Sequence, residues 1–394
     1  MRPGDHDTAI VLGGGGARAA YQVGALRAVV RILGRRGPVP FPVLCGTSAG
    51  AINAVALAVN ADNFRRGVAR LTRWWRRIAV ADVYRADFSA LSLHSAQFLA
   101  SFLTGSRGPQ GVAALLDNSP LNGLLDREFR FERLASHILG GDLHALSINA
   151  TSYSTGHAVS FFEGASALPG WQRTRRRGQP VRLSRDHLLA STAIPFVFPA
   201  GRIDDDYFMD GSVRQLAPLS PALHLGARRI LVIAVGQFSG QRAPVSGSVA
   251  AYPSFAQAAG HALSTIFLDN LAADLERMTQ VNRLADLIPS AEMRASGLNA
   301  GHVDVLVLAP SRDMGALALE YEERLPGAVR TLLRALGSTE GTGANLVSYL
   351  LFDRNFCRAL MALGYADTMA RRGEMVAFFD GTTNGAPIVP PYFS

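Results

Sequence analysis

Residues Val43–Val59 read VLCGTSAGAINAVALAV. The apolar Val43-Leu44-Cys45 predicts a buried strand, Gly46-Thr47-Ser48-Ala49-Gly50 a sharp turn, and the alanine-rich run behind it a helix. In a strand–turn–helix setting, Gly-x-Ser-x-Gly lifts its serine to the C-terminal end of the strand. There Ser48 stands above a helix N-terminus, whose N–H groups and dipole favour negative charge. Gly46 and Gly50 suit the turn because side chains there would strike the neighbouring strand or helix. By itself the pattern is weak, since small-residue turns between strand and helix are common.

Outward from this stretch, Thr8–Leu12 (TAIVL) predicts another buried strand, and Gly13–Gly16 a loop. Ala20–Leu33 predicts a helix, with Val23, Leu26, Val30 and Leu33 on one face. The first sixty residues thus open a parallel sheet with helices packed on its faces. The glycine loop admits three readings. A Walker A loop requires a lysine, and the sequence has none. A dinucleotide fingerprint fits Gly14-x-Gly16-x-x-Ala19, but expects an acidic residue about 20 positions on. None occurs between Asp7 and Asp62, so only an NADP reading through Arg35 or Arg36 stays open. The third reading is an oxyanion hole, in which the N–H groups of Gly14, Gly15 and Gly16 point at a tetrahedral intermediate.

The serine needs a base. Past Asp210 the histidines are His224, His261 and His302, and none sits in a distinctive short loop after a strand. The stronger candidate is Asp210, which closes the short strand Tyr207-Phe208-Met209 and precedes Gly211 and Ser212. An aspartate is a poor base in water, with a pKa of about 3.9, but a site that excludes water raises it. Asp-Gly is also a common turn dipeptide.

The chain is 394 residues long, 48% hydrophobic and 18% charged, which fits a large folded core. Its net charge is +8, and all 39 basic residues are arginine. No zinc finger, RNP-like strand or basic helix-turn-helix pattern points to nucleic acid. The two cysteines, Cys45 and Cys357, make no disulfide framework, and Cys45 reads as a small core residue. The polar Met1–Asp7 lacks a charged-then-apolar leader, and Ala49–Ala61 is too short to span a bilayer. The expectation is a cytoplasmic protein, soluble or peripheral at a membrane.

Further along, helices are predicted over Asn63–Ile78, Leu121–Leu139, Asp186–Ala193, Phe255–Leu287, Tyr321–Leu336 and Ala344–Ala370. Strands are predicted over Leu146–Ser152, His157–Phe162, Arg229–Val235 and Val303–Leu308. Trp171–Gly178 reads as a basic loop, Phe88–Leu103 as a Phe- and Leu-rich run before a Gly105–Gly111 loop, Gly236–Tyr252 as a loop, and Gly381–Ser394 as irregular. Because strands recur so late, residues 217–394 are expected to continue the globule begun by a catalytic core over 8–216.

Together, LGGGGARAAYQVGAL, GTSAG and FMDGSVRQLAPLSP resemble the glycine loop, serine turn and Asp-Gly motif of the patatin-like phospholipases. LLDNSPL, ATSYSTGHAVSFF, HLLASTAIPFVFPA and SYLLFDRNFCRALMALGYAD extend the resemblance over most of the chain. It implies a three-layer α/β/α fold with a mainly parallel sheet and a helical C-terminal part. It further implies a Ser48–Asp210 dyad, an oxyanion hole at Gly14–Gly16 with Arg18 supporting the loop, lipid carboxylic esters as substrates, and no metal or organic cofactor. Ala19 and Ser212 depart from the family pattern, where glycine, and glycine or alanine, are common. The competing class is a non-catalytic lipid-binding or scaffold protein of the same fold. Finally, Trp74 and Trp75 among Arg65, Arg66, Arg70, Arg73, Arg76 and Arg77 suggest a helix that docks on anionic membrane.

Overall fold

A computed structural model describes residues 7–34, 36–86, 114–236, 255–287, 302–335, 343–383 and 386–391. The expectations for 88–111 and for all but the first residue of 236–252 lie outside these ranges. The strands are β1 (Thr8–Leu12), β2 (Val43–Thr47), β3 (Ala145–Ser152), β4 (Ala158–Gly164), β5 (Trp171–Arg173), β6 (Arg176–Pro180), β7 (Gly201–Ile203), β8 (Asp206–Asp210), β9 (Arg229–Ile233) and β10 (Asp304–Leu308). They form a sheet in the order β10-β9-β1-β2-β3-β4-β6-β5, with β8 bridging β3 to β7. The five strands β10, β9, β1, β2 and β3 run parallel, and β4 turns antiparallel against β3.

Burial on both faces explains why these strands read as unbroken apolar runs. In β1, Ile10 and Leu12 enter one core, while Ala9 and Val11 enter the other. The first core packs under α1 (Ala20–Leu33), α2 (Ala49–Ala58), α3 (Phe64–Trp75) and the C-terminal helix Arg354–Ala370. The second lies under the short helix Ser220–His224 and the long helix Phe255–Leu287. This is the expected three-layer α/β/α fold with a mainly parallel sheet. Helices α1 and Arg354–Ala370 meet at reciprocal glycines. A Cβ at Gly24 would strike the Met361 carbonyl, and one at Gly364 the Tyr21 carbonyl.

Four sequence expectations differ from the structure, the first being Tyr321–Leu336, where a 3₁₀ turn at Glu322–Arg324 gives way at Pro326 to the helix Gly327–Ala335. Leu121–Leu139 is two helices, Ser119–Glu128 and Glu132–Leu139. Ala344–Ala370 is likewise split, because the Asp353 carboxylate accepts from Asn355 N–H and Phe356 N–H and starts a new helix at Arg354. Trp171–Gly178 is a hairpin, β5–β6, rather than a loop. Its arginines hide the anchor: Trp171 stacks between Phe162 and His224 at 5.1 and 4.7 Å, over the space left by Gly178.

Candidate active site

Ser48 is buried at the end of β2, with φ 55° and ψ −131°. A positive φ is strained for a residue with a Cβ and marks a backbone held by its surroundings. Both turn glycines are required by close backbone approach. A Cβ at Gly46 would meet Ala51, and one at Gly50 the carbonyls of Leu12 and Gly13. The Ser48 N–H donates to Ser191 Oγ at 2.8 Å, and that hydroxyl donates to the Asn149 carbonyl at 2.6 Å. Asn149 Nδ2 in turn donates to Thr47 Oγ1 at 3.1 Å, and Thr47 Oγ1 to Gln215 Oε1 at 2.9 Å.

Sheet register explains how Asp210 reaches Ser48. Residues Val43–Thr47 of β2 pair with Ala145–Asn149 of β3. At Ser48 the chain turns away into α2, and the next position on β3, Ala150, pairs with Asp210 of β8 instead. Strand β8 thus takes over the row that β2 vacates, and its last residue arrives beside the serine. The Asp210 N–H donates to the Ala193 carbonyl at 2.8 Å. A Cβ at Gly211 would collide with the Asn149 carbonyl, so the turn after Asp210 needs a glycine.

The Ser212 N–H donates to Asp210 Oδ1 at 2.8 Å, and the side chains of Ser48 and Ser212 both act to favour the charged form of that carboxyl. Asp210 is buried, and burial pushes its pKa from 3.8 up to about 6, with these three groups holding it from rising further.

The glycine loop lies against this pair. A methyl group at Gly14 would overlap the Ser212 hydroxyl oxygen and the Ser48 Cβ. Gly15 fits against Val235, and Gly16, with φ 54°, against the Tyr349 carbonyl. Among the described residues, no acceptor pairs with the N–H of Gly14 or Gly15. Arg18 is buried rather than solvated. Its Nε donates to Ser348 Oγ at 2.6 Å and its guanidinium to Asn345 Oδ1 at 2.7 Å, and it covers the Tyr349 ring. Burial disfavours its charge, and Asp313 nearby partly offsets that.

The role expected of Trp75 is overturned. Its side chain is fully buried and cannot reach a lipid surface. Its Nε1 donates to Asn53 Oδ1 at 2.8 Å, Asn53 Nδ2 to Gln22 Oε1 at 2.8 Å, and Gln22 Nε2 to the Gly13 carbonyl at 2.8 Å. Trp75 therefore braces the glycine loop from below. Trp74 is half-buried, and the exposed face of α3 is made by Arg65, Arg66, Arg70 and Arg73.

The described histidines lie elsewhere. His224 stacks on Trp171 and bonds the Ser220 carbonyl, and His302 contacts Asp286. The His261 side chain is outside the described residues. Cys45 and Cys357 are buried free thiols whose pKa burial raises, in keeping with a core role. Sequence reading missed Ser191, Asn149, Gln22 and Asn53, polar residues set in apolar or small-residue runs.

The family model described as patatin-like phospholipase matches residues 10–223. A Pseudomonas aeruginosa protein named cGAMP-activated phospholipase is 27% identical over 215 residues, which are 55% of this chain and 55% of that protein. The chain therefore aligns with about half the length of this curated relative. Among solved structures, VipD from Legionella pneumophila aligns over 94% of this chain and 67% of its own, with TM-score 0.35 and 11% identity. The type III effector ExoU aligns over 88% and 77%, with TM-score 0.26 and 15% identity. The matched region of the family model covers more than half the sequence and holds the glycine loop, Ser48 and Asp210. The chain belongs to the patatin-like phospholipase family.

Proposed function

We propose that the protein is a serine acyl hydrolase cleaving carboxylic esters of lipids, phospholipid or lysophospholipid, with Ser48 as nucleophile and Asp210 as general base. The observation that carries this reading is the placement of Asp210, a buried carboxyl with a pKa of about 6, beside Ser48 on the row that β2 vacates. A base with that pKa is charged at neutral pH and still able to hold a proton in passing. As Ser48 Oγ bonds to the ester carbon, Asp210 takes its proton. The carbonyl oxygen becomes an oxyanion facing the N–H groups of the Gly14–Gly16 loop. The intermediate collapses, the bond to the alcohol breaks, and Asp210 returns the proton to the leaving oxygen. Water then attacks the acyl carbon, giving its proton to Asp210. The carboxylic acid leaves as that proton passes to Ser48 Oγ. The family and the relative named as a phospholipase support a lipid ester as substrate. Turnover on a panel of phospholipids, lysophospholipids and triglycerides tests this, with Ser48→Ala and Asp210→Asn beside the wild type. Losses of several orders of magnitude are expected in both variants. A Ser48→Ala protein retaining more than a few per cent of activity would contradict the reading.

A further inference from the structure

Ser212 stands where the family pattern favours glycine or alanine, and the mechanism above gives it no task. Its surroundings do. The Ser212 N–H donates to Asp210 Oδ1 at 2.8 Å, and the Ser212 side chain acts to keep the same carboxylate charged. The Ser212 hydroxyl oxygen also lies against Gly14, where an added methyl group would overlap both it and the Ser48 Cβ. Ser212 therefore sits where the glycine loop, the serine and the carboxylate converge.

We propose that Ser212 is a positioning residue whose hydroxyl holds the Asp210 carboxylate during the half-reaction in which Ser48 is esterified. The proposal rests on the Ser48–Asp210 reading. In the free enzyme the Ser212 N–H bonds Asp210, and the side chains of Ser48 and Ser212 favour its charged form. Once Ser48 carries the acyl group, its Oγ is an ester oxygen with no proton to give. Asp210 must then take a proton from water with Ser212 as its remaining donor among the described residues. Arg18 is not a substitute, because its guanidinium is engaged by Ser348, Asn345 and the Tyr349 ring. The other groups facing Asp210 are Ala150 on β3 and Ala193 after the helix Arg185–Thr192, both neutral, and Tyr349 on the helix Gly343–Leu350. Burial raises the Tyr349 pKa, so that phenol does not titrate at acid pH.

Removing a donor to the charged form of a carboxyl raises its pKa. Ser212→Ala and Ser212→Gly should therefore move the acid limb of kcat, which reads the acyl-enzyme when deacylation limits, to higher pH by about one unit, a tenfold change in protonation. With a p-nitrophenyl ester, both variants should release a burst of p-nitrophenol followed by a slower steady state, because deacylation suffers more than acylation. Acid limbs that coincide with wild type in both variants would overturn the inference, whatever happens to the magnitude of kcat. So would a loss of kcat without a burst. Ser48→Ala, run in parallel, separates the two claims. An active Ser48→Ala protein overturns the dyad and the inference together. A dead Ser48→Ala protein with unmoved Ser212 variants overturns the inference alone.

Discussion

Among the described residues no cation is bonded to the buried Asp210 carboxyl, and the raised pKa that would suit it to the proposed role has a thermodynamic cost. Its pKa is about 6 in the fold against an ordinary 3.8. Between those values the folded state holds a proton that the unfolded state has released. Stability from this group is therefore fully present below about pH 4 and falls as pH rises toward 6, by at most about 3 kcal/mol. Asp210→Asn lacks this contribution, so the wild type should lose stability relative to the variant between pH 4 and pH 7. Chemical denaturation at both values measures this, and parallel profiles would contradict it. The same ionisation should place the acid limb of turnover near pH 6. At this scale Ser48 and Asp210 were legible because their residue types and turn glycines announce chemistry. Ser191 was not, because a serine near the end of a predicted helix carries no such signal. Its role arises only where that helix meets the serine turn and β3.

Arg18 and Trp75 show elements bracing one another. Arg18 lies just ahead of α1, where a cation opposes the helix dipole, which points to a role other than surface charge. The structure supplies that role: Arg18 pins the Gly16–Ala19 turn to the helix Gly343–Leu350. Arg18→Ala should thus cost about 2–4 kcal/mol of stability in addition to turnover. Denaturant midpoints check this, and an unchanged midpoint would sink it. The burial of Trp75 corrects the expectation that both tryptophans of α3 face outward. Adjacent tryptophans point about 100° apart on a helix, and here Trp75 faces inward to the chain of hydrogen bonds ending at Gly13. What α3 offers outward is arginine. If this face attracts anionic lipid, as we propose, Arg70→Glu with Arg73→Glu should weaken co-sedimentation with phosphatidylserine vesicles at low salt, each basic group contributing about 1 kcal/mol. Trp74→Ala should have a smaller effect. Binding equal to wild type in the double arginine variant would remove the proposal.

Across the whole molecule, the parallel sheet was legible because strands buried on both faces must be apolar throughout, as in β1, β2, β9 and β10. The route by which β8 enters the sheet was not, since it depends on register rather than composition. Asp210 comes to Ser48 only because β3 outruns β2 and accepts β8 on the vacated row. The late helix Gly343–Leu350 likewise reaches back to the glycine loop through Ser348, Asn345 and Tyr349. Residues from both halves of the sequence thus frame one serine. The most direct test is covalent labelling with a fluorophosphonate, located by peptide mass mapping in the wild type and in Asp210→Asn. The account predicts a single adduct on Ser48 in the wild type and labelling slowed by orders of magnitude in Asp210→Asn. An adduct on another residue, or equal labelling rates in the two proteins, would contradict it.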